Sequence, residues 1–137
     1  MAEFDINKGD LAARQPLSPH LSIYRPMLTM LMSIAHRITG AALYIGTLVL
    51  VWYLLAAATG GTAFAFASSF MRSILGQFIL LGFTFAFLHH FFGGVRHMIW
   101  DAGYGFGHPM REWLAAATLI ASVSFTLIIF AAAHFIG

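Results

Sequence analysis

The sequence contains no cysteine, and charged side chains make up only 9% of its 137 residues. Without thiols the chain cannot form a disulfide bond, hold an iron–sulfur cluster by itself or attach a c-type haem. Such a small share of charge, with 60% apolar residues and a mean hydropathy of +0.82, excludes a water-soluble domain of this size. The seven basic residues form no cluster and the net charge is only +2, so nucleic acid is not an expected partner.

Three long apolar stretches predict an all-α integral membrane protein with three transmembrane helices. The spans cover about residues 30–58, 73–97 and 113–136, within a transmembrane domain of residues 29–137. Helices are required because an open strand in lipid would leave backbone groups without partners. The break at Gly60, Gly61 and Thr62 predicts a connecting loop after the first span.

The distribution of basic residues predicts the orientation in the membrane. Three spans leave Arg72 alone on one side, and the other side carries Lys8, Arg14, Arg25, Arg37, Arg96 and Arg111. This bias predicts a cytoplasmic N-terminus. Residues 1–28 are expected to form an extended cytoplasmic arm, because they contain Pro16, Pro19 and Pro26. Acidic residues in this arm argue against a transit peptide, so a bacterial inner membrane is favoured over a mitochondrial one.

Polar residues share one face at the start of the first span. They are Ser33, His36, Arg37 and Gly40. Their spacing of i, i+3, i+4 and i+7 puts them on one side of a helix. Arg37 alone is explained equally well by a guanidinium that reaches the lipid headgroups. A hydroxyl, an imidazole and a guanidinium together can instead hold carboxylates or polarise a carbonyl oxygen.

Small residues and imidazoles share one face of the second span. These residues are Gly82, Ala86, His89, His90, Gly93 and His97. The glycines and the alanine alone are explained by close helix packing. A buried imidazole needs a partner, however, and neutral imidazole is a common ligand of haem iron. His89 and His90 point about 100° apart, so only one can bind the iron. His90 lies nearer the middle of the face, and together with the resemblance described below this position favours His90 as the ligand.

The remaining polar residues of this region are candidates for supporting roles. His97 lies about 10.5 Å from His90 along the helix axis, so the two cannot bind the same iron. A second axial ligand is therefore expected from another subunit. Four residues are expected at the cytoplasmic boundary, where they could pair with haem propionates: His36, Arg37, Arg96 and His97. Asp101 could orient an imidazole, transfer a proton or simply lie at the helix end.

Two segments resemble the signatures of a known family. Residues 16–40, PLSPHLSIYRPMLTMLMSIAHRITG, are similar to the first signature of the cytochrome b subunit of succinate dehydrogenase, including its S-x-x-H-R-x-[ST] core. Residues 90–103, HFFGGVRHMIWDAG, resemble the second signature, H-x-x-x-G-[aliphatic]-R-H-x-x-[aromatic]-D-x-G. Both segments occur in the family's order, in a chain with three expected spans.

The resemblance implies a membrane anchor of succinate:quinone oxidoreductase, which serves the tricarboxylic acid cycle and the respiratory chain. In that complex a flavoprotein subunit oxidises succinate, an iron–sulfur subunit relays electrons, and two membrane subunits hold haem b and ubiquinone. FAD and the iron–sulfur clusters are then expected in partner chains, and this chain alone is not expected to be active.

The resemblance also implies roles for individual residues. His90 matches the axial haem ligand, while Ser33 and Arg37 match residues that line the quinone site. His36 matches a residue near the haem propionates. His97 and Asp101 match the end of the second signature, where the roles are less defined.

Three alternatives remain at the level of the sequence. A quinol:fumarate reductase anchor would use the same helices and histidines in the reverse reaction. A small transporter or channel subunit would line a substrate path with its polar stripes. A purely structural anchor would use the histidines in packing only.

Overall fold

The computed structural model describes residues 24–136 and contains four helices in this range, without any strand. They are α1 (Leu28–Thr59), α2 (Gly61–Arg72), α3 (Ile74–Asp101) and α4 (Met110–Ile136). Among the described residues α1, α3 and α4 are long and apolar enough to cross a membrane. The predicted all-α membrane fold is thus confirmed. Of the arm predicted over residues 1–28, all but a few positions lie outside the described residues.

The prediction of a connecting loop after the first span is wrong, because that segment forms the helix α2. Gly60 and Gly61 have φ angles of 68° and 56°, and this left-handed turn separates α1 from α2. Ala67 and Met71 are then buried one helical turn apart, which anchors α2 to its neighbours. Helix α2 ends at Arg72, and the next residue, Ser73, accepts a hydrogen bond at its Oγ from the backbone amide of Gly76 at 3.2 Å and so caps α3.

Helix α3 contacts all three other helices and forms the centre of the described bundle. Apart from Met32, Met71 and Leu88, the buried positions are small or polar. They include Ala67, Ala86, Ala115, Thr118, Ser122 and Thr126. Large apolar side chains instead face outward, as expected for helices that meet lipid and associate through small residues. Helix α1 buries only three of its 32 residues, so most of its surface is open to lipid or to a partner.

Candidate functional site

The imidazoles of His36 on α1 and His90 on α3 stack where these two helices cross. Their ring centroids lie 3.9 Å apart and the planes differ by 14°. Glycine makes this approach possible on both helices. A Cβ at Gly93 would lie 2.3 Å from Cδ2 of His36, and a Cβ at Gly40 would lie 2.9 Å from Cε1 of His90. Each helix therefore provides a histidine and the gap that accommodates the histidine of the other.

Reciprocal hydrogen bonds hold this histidine pair. Nε2 of His36 lies 3.2 Å from the backbone oxygen of His90, and Nδ1 of His90 lies 3.1 Å from the backbone oxygen of His36. A carbonyl oxygen can only accept, so Nδ1 of His90 is the donor and carries the proton. In a neutral imidazole the lone pair then resides on Nε2. Within residues 24–136, Nε2 of His90 has no hydrogen-bond partner.

His89 lies in a different environment, although it is adjacent in sequence. Its side chain is only 1% exposed and packs between α3 and α4. Nδ1 faces Oγ of Ser122 at 3.4 Å, and Nε2 is buried without a hydrogen-bond partner among the described residues. The single face expected for the second span is therefore divided, with His90 turned to α1 and His89 turned to α4. His89 is therefore enclosed between α3 and α4, whereas His90 faces α1.

Arg96 does not join the cations expected above His90. It is 2% exposed, and its guanidinium carbon lies 5.2 Å from the centroid of the Trp100 ring. None of its three side-chain nitrogens has a hydrogen-bond partner in the described part of the chain. The reason is rotational: Arg96 follows His89 by seven residues and shares its face, whereas the expected cluster lies on the face of His90.

The other candidate residues lie near the histidine pair or towards the end of the bundle where α1 begins and α3 ends. The His97 ring lies 5.3 Å from the His36 ring in an edge contact. Ser33 is half-buried, Arg37 is exposed, and the two are one helical turn apart on α1. Asp101 is exposed at the last position of α3 and forms no ion pair within residues 24–136. The site is thus open towards one end of the bundle, where further groups can enter.

Two buried hydroxyl residues of α4, Thr118 and Ser122, were not predicted from the sequence. Oγ of Ser122 donates to the backbone oxygen of Thr118 at 2.5 Å and also faces His89. Ser122 and Thr118 are both buried against α3. The signal was present in the sequence, because Thr118, Ser122 and Thr126 recur every four residues and form a polar stripe in an apolar helix.

The family model and the similar proteins all point to membrane subunits of succinate dehydrogenase. The model of the family described as succinate dehydrogenase/fumarate reductase transmembrane subunit matches residues 12–131. The succinate dehydrogenase cytochrome b556 subunit of Paracoccus denitrificans is 42% identical over 130 residues, which cover 92% of this chain and 96% of the relative. The subunit of the same name from Rickettsia typhi is 31% identical over 89% of this chain and 95% of its own length.

A mitochondrial relative extends the comparison. The succinate dehydrogenase cytochrome b560 subunit of Sus scrofa is 36% identical over 118 residues, or 83% of this chain and 69% of the relative. The predicted resemblance to succinate dehydrogenase cytochrome b subunits is therefore confirmed. The bacterial relatives and the three apolar helices indicate a multi-pass protein of the bacterial inner membrane. The chain belongs to the succinate dehydrogenase/fumarate reductase transmembrane subunit family, whose members are subunits of an oxidoreductase complex.

Proposed function

We propose that this chain is the membrane anchor of a succinate:quinone oxidoreductase that binds haem b through His90 and helps to form the quinone site. One observation carries the proposal: Nδ1 of His90 is held by the backbone oxygen of His36, which leaves Nε2 free. A metal-bound histidine commonly has this arrangement, because the second hydrogen bond fixes the tautomer and the ring orientation. The relatives named cytochrome b support the same assignment.

The residues around His90 fit a haem group. Within residues 24–136 no three His, Asp or Glu side chains come together as metal ligands, whereas haem iron needs only an axial ligand from each side. A Cβ at Gly94 would meet nothing within 4 Å, which leaves room beside the helix. His36 and His97 are proposed to bind the propionates. When bound, haem would supply a one-electron redox centre.

The proposal requires partner subunits. The second axial ligand would come from a second membrane anchor, because His89 is enclosed by α4 and His97 is too distant along the helix. The outward face of α1 offers a docking surface for that anchor, since Ile38, Tyr44 and Ile45 are each at least 64% exposed. The chain has no cysteine to hold a cluster. An iron–sulfur subunit and a flavoprotein subunit would therefore deliver the electrons of succinate oxidation.

Ser33 and Arg37 are proposed to bind ubiquinone near the cytoplasmic end of α1. The hydroxyl of Ser33 can donate a hydrogen bond to a quinone oxygen. The permanent charge of the exposed Arg37 can stabilise the negative charge that this oxygen gains on reduction. Asp101 is exposed on the same side of the membrane, where its carboxylate can exchange protons with water and pass them towards the site.

The haem assignment is tested by a pair of adjacent substitutions in the assembled complex. His90→Ala is expected to abolish the b-type band in reduced-minus-oxidised spectra, because it removes the axial nitrogen. His89→Ala is the matched control and should retain the band, since its ring packs against α4. A band that survives His90→Ala but is lost in His89→Ala would refute the assignment.

Quinol:fumarate reductase activity is a second candidate, favoured by the family description, which covers both enzymes. Both directions can be assayed in the purified complex with the same quinone. Faster succinate oxidation than fumarate reduction at equal substrate saturation would support the first function. The opposite ratio would support the second.

A further inference from the structure

A crevice lies between α1 and α3, and Met71 of α2 contributes to its lining. Its volume is about 280 Å³, and its apolar lining includes Gly46, Leu50, Tyr53, Ile79 and Phe83. A wider groove of about 890 Å³ continues from it and shares the side chains of Tyr53, Met71 and Leu80. From Tyr53 to Gly46 the crevice follows α1 for about 10 Å, which is a substantial depth within one leaflet.

The mouth of the wider groove is polar and carries a positive charge. Its lining includes Ser68, Ser69, Arg72, Ser73 and Gln77. Arg72 is exposed and is the only formally charged side chain between Arg37 and Arg96 in the sequence. Oγ of Ser68 is buried without a hydrogen-bond partner among the described residues. Ser73 caps the 28-residue helix α3, whose dipole adds positive potential at this end. The mouth is therefore complementary to an anion.

We propose that this groove binds one anionic phospholipid of the membrane leaflet opposite to the quinone site. The phosphate would contact the exposed Arg72 and Ser69, and one acyl chain would occupy the apolar crevice beside Phe83. The groove has a cation at its mouth and an apolar channel below it. A phospholipid has the matching arrangement, with a charged headgroup above its acyl chains. Charge complementarity favours an anionic headgroup, because no acidic side chain occurs between Arg37 and Asp101 to neutralise Arg72.

The headgroup contact is tested in the purified complex with lipids of known composition. The complex is delipidated, incubated with dioleoyl phosphatidylglycerol or with dioleoyl phosphatidylethanolamine, and analysed by native mass spectrometry. One phosphatidylglycerol is expected to be retained, and Arg72→Gln should weaken its retention about fivefold, the effect of one basic residue on an anionic lipid. Arg111→Gln is the control, because Arg111 lies at the start of α4 beside Glu112. Equal retention of both lipids by the unmodified chain would overturn the proposal.

The acyl-chain contact is tested by filling the crevice. Leu80→Trp introduces a larger side chain where the two cavities meet, and it is expected to reduce lipid retention without changing the charge. Leu75→Trp is the matched control, because Leu75 is 61% exposed on the same helix and lines neither cavity. Retention that is unchanged by both Arg72→Gln and Leu80→Trp would overturn the proposal. Retention of a quinone instead of a phospholipid at this site would also overturn it.

Discussion

Substitution of a single glycine should disrupt the contact at which α1 crosses α3. In Gly93→Ala the added Cβ would lie 2.3 Å from Cδ2 of His36, well inside van der Waals contact. The His36 ring is fixed by its stack on His90 and by its hydrogen bond to the backbone of α3, so it cannot move without losing both. We therefore expect α1 and α3 to separate locally and the membrane domain to lose stability.

The change in the free energy of unfolding combines two destabilising contributions and one stabilising contribution. Two interhelical hydrogen bonds within a membrane contribute about 0.6 kcal/mol each. Overpacking of a tight contact costs about 1–3 kcal/mol. Alanine in place of glycine stabilises a helix by about 0.5–1 kcal/mol, which offsets only part of the loss. Gly93→Ala should therefore lower the free energy of unfolding by about 1–4 kcal/mol.

The assay is the thermal midpoint of the complex in mild detergent, together with the intensity of the b-type absorption band. Both should fall in Gly93→Ala. Gly82→Ala is the control on the same helix, because its Cβ would meet nothing within 4 Å, and its midpoint should be unchanged or slightly higher. If Gly93→Ala behaves like Gly82→Ala, the close approach of His36 to α3 is not part of the assembled protein and the reasoning is refuted.

Three further substitutions test other parts of the structure. Arg37→Gln should raise the KM for ubiquinone. Succinate oxidation measured with an artificial electron acceptor, which reacts at the partner subunits, should be unchanged. A loss of both activities would point to misassembly. Gly46→Ala should lower the thermal midpoint, because its Cβ would lie 2.2 Å from the Phe83 ring. The second substitution Phe83→Leu should restore it, and a failure to restore it would contradict this explanation. Ser122→Ala should cost about 0.6 kcal/mol and leave the b-type band intact, because it removes only the polar neighbour of His89; loss of the band would contradict a packing role.

The three spans were predictable because hydrocarbon imposes a simple rule on the sequence. A helix must run for about 20 apolar residues to cross the membrane, and each span satisfies this length. Helix α2 was missed because its flanking glycines signal a turn and its 12 residues are too few to span. The information that defines it is the burial of Ala67 and Met71, which depends on α1 and α3 being in place. A short helix of this kind is defined by tertiary contacts more than by its own pattern.

The site was predictable in its residue types and only partly in its contacts. Helical spacing was sufficient to group Ser33, His36 and Arg37 on one face of α1. It could not indicate that Gly93 accommodates the ring of His36, because this depends on the position at which α1 crosses α3. The space beside Gly93 is thus occupied by a side chain, whereas the space beside the adjacent Gly94 is open.

The two adjacent histidines have different neighbours because one residue of helix is a rotation of about 100°. The same rotation applies seven residues later, where Arg96 and His97 are also adjacent. His89 and Arg96 consequently share the face that is buried against α4, whereas His90 and His97 share the face that meets His36 on α1. Two pairs of adjacent polar residues thus serve two interfaces. Nε2 of His89 is buried on the side of α4, whereas His90 stacks on His36 at the crossing with α1. The sequence and its resemblance single out His90, but the helix that faces each of the two histidines depends on how α3 packs against α1 and α4.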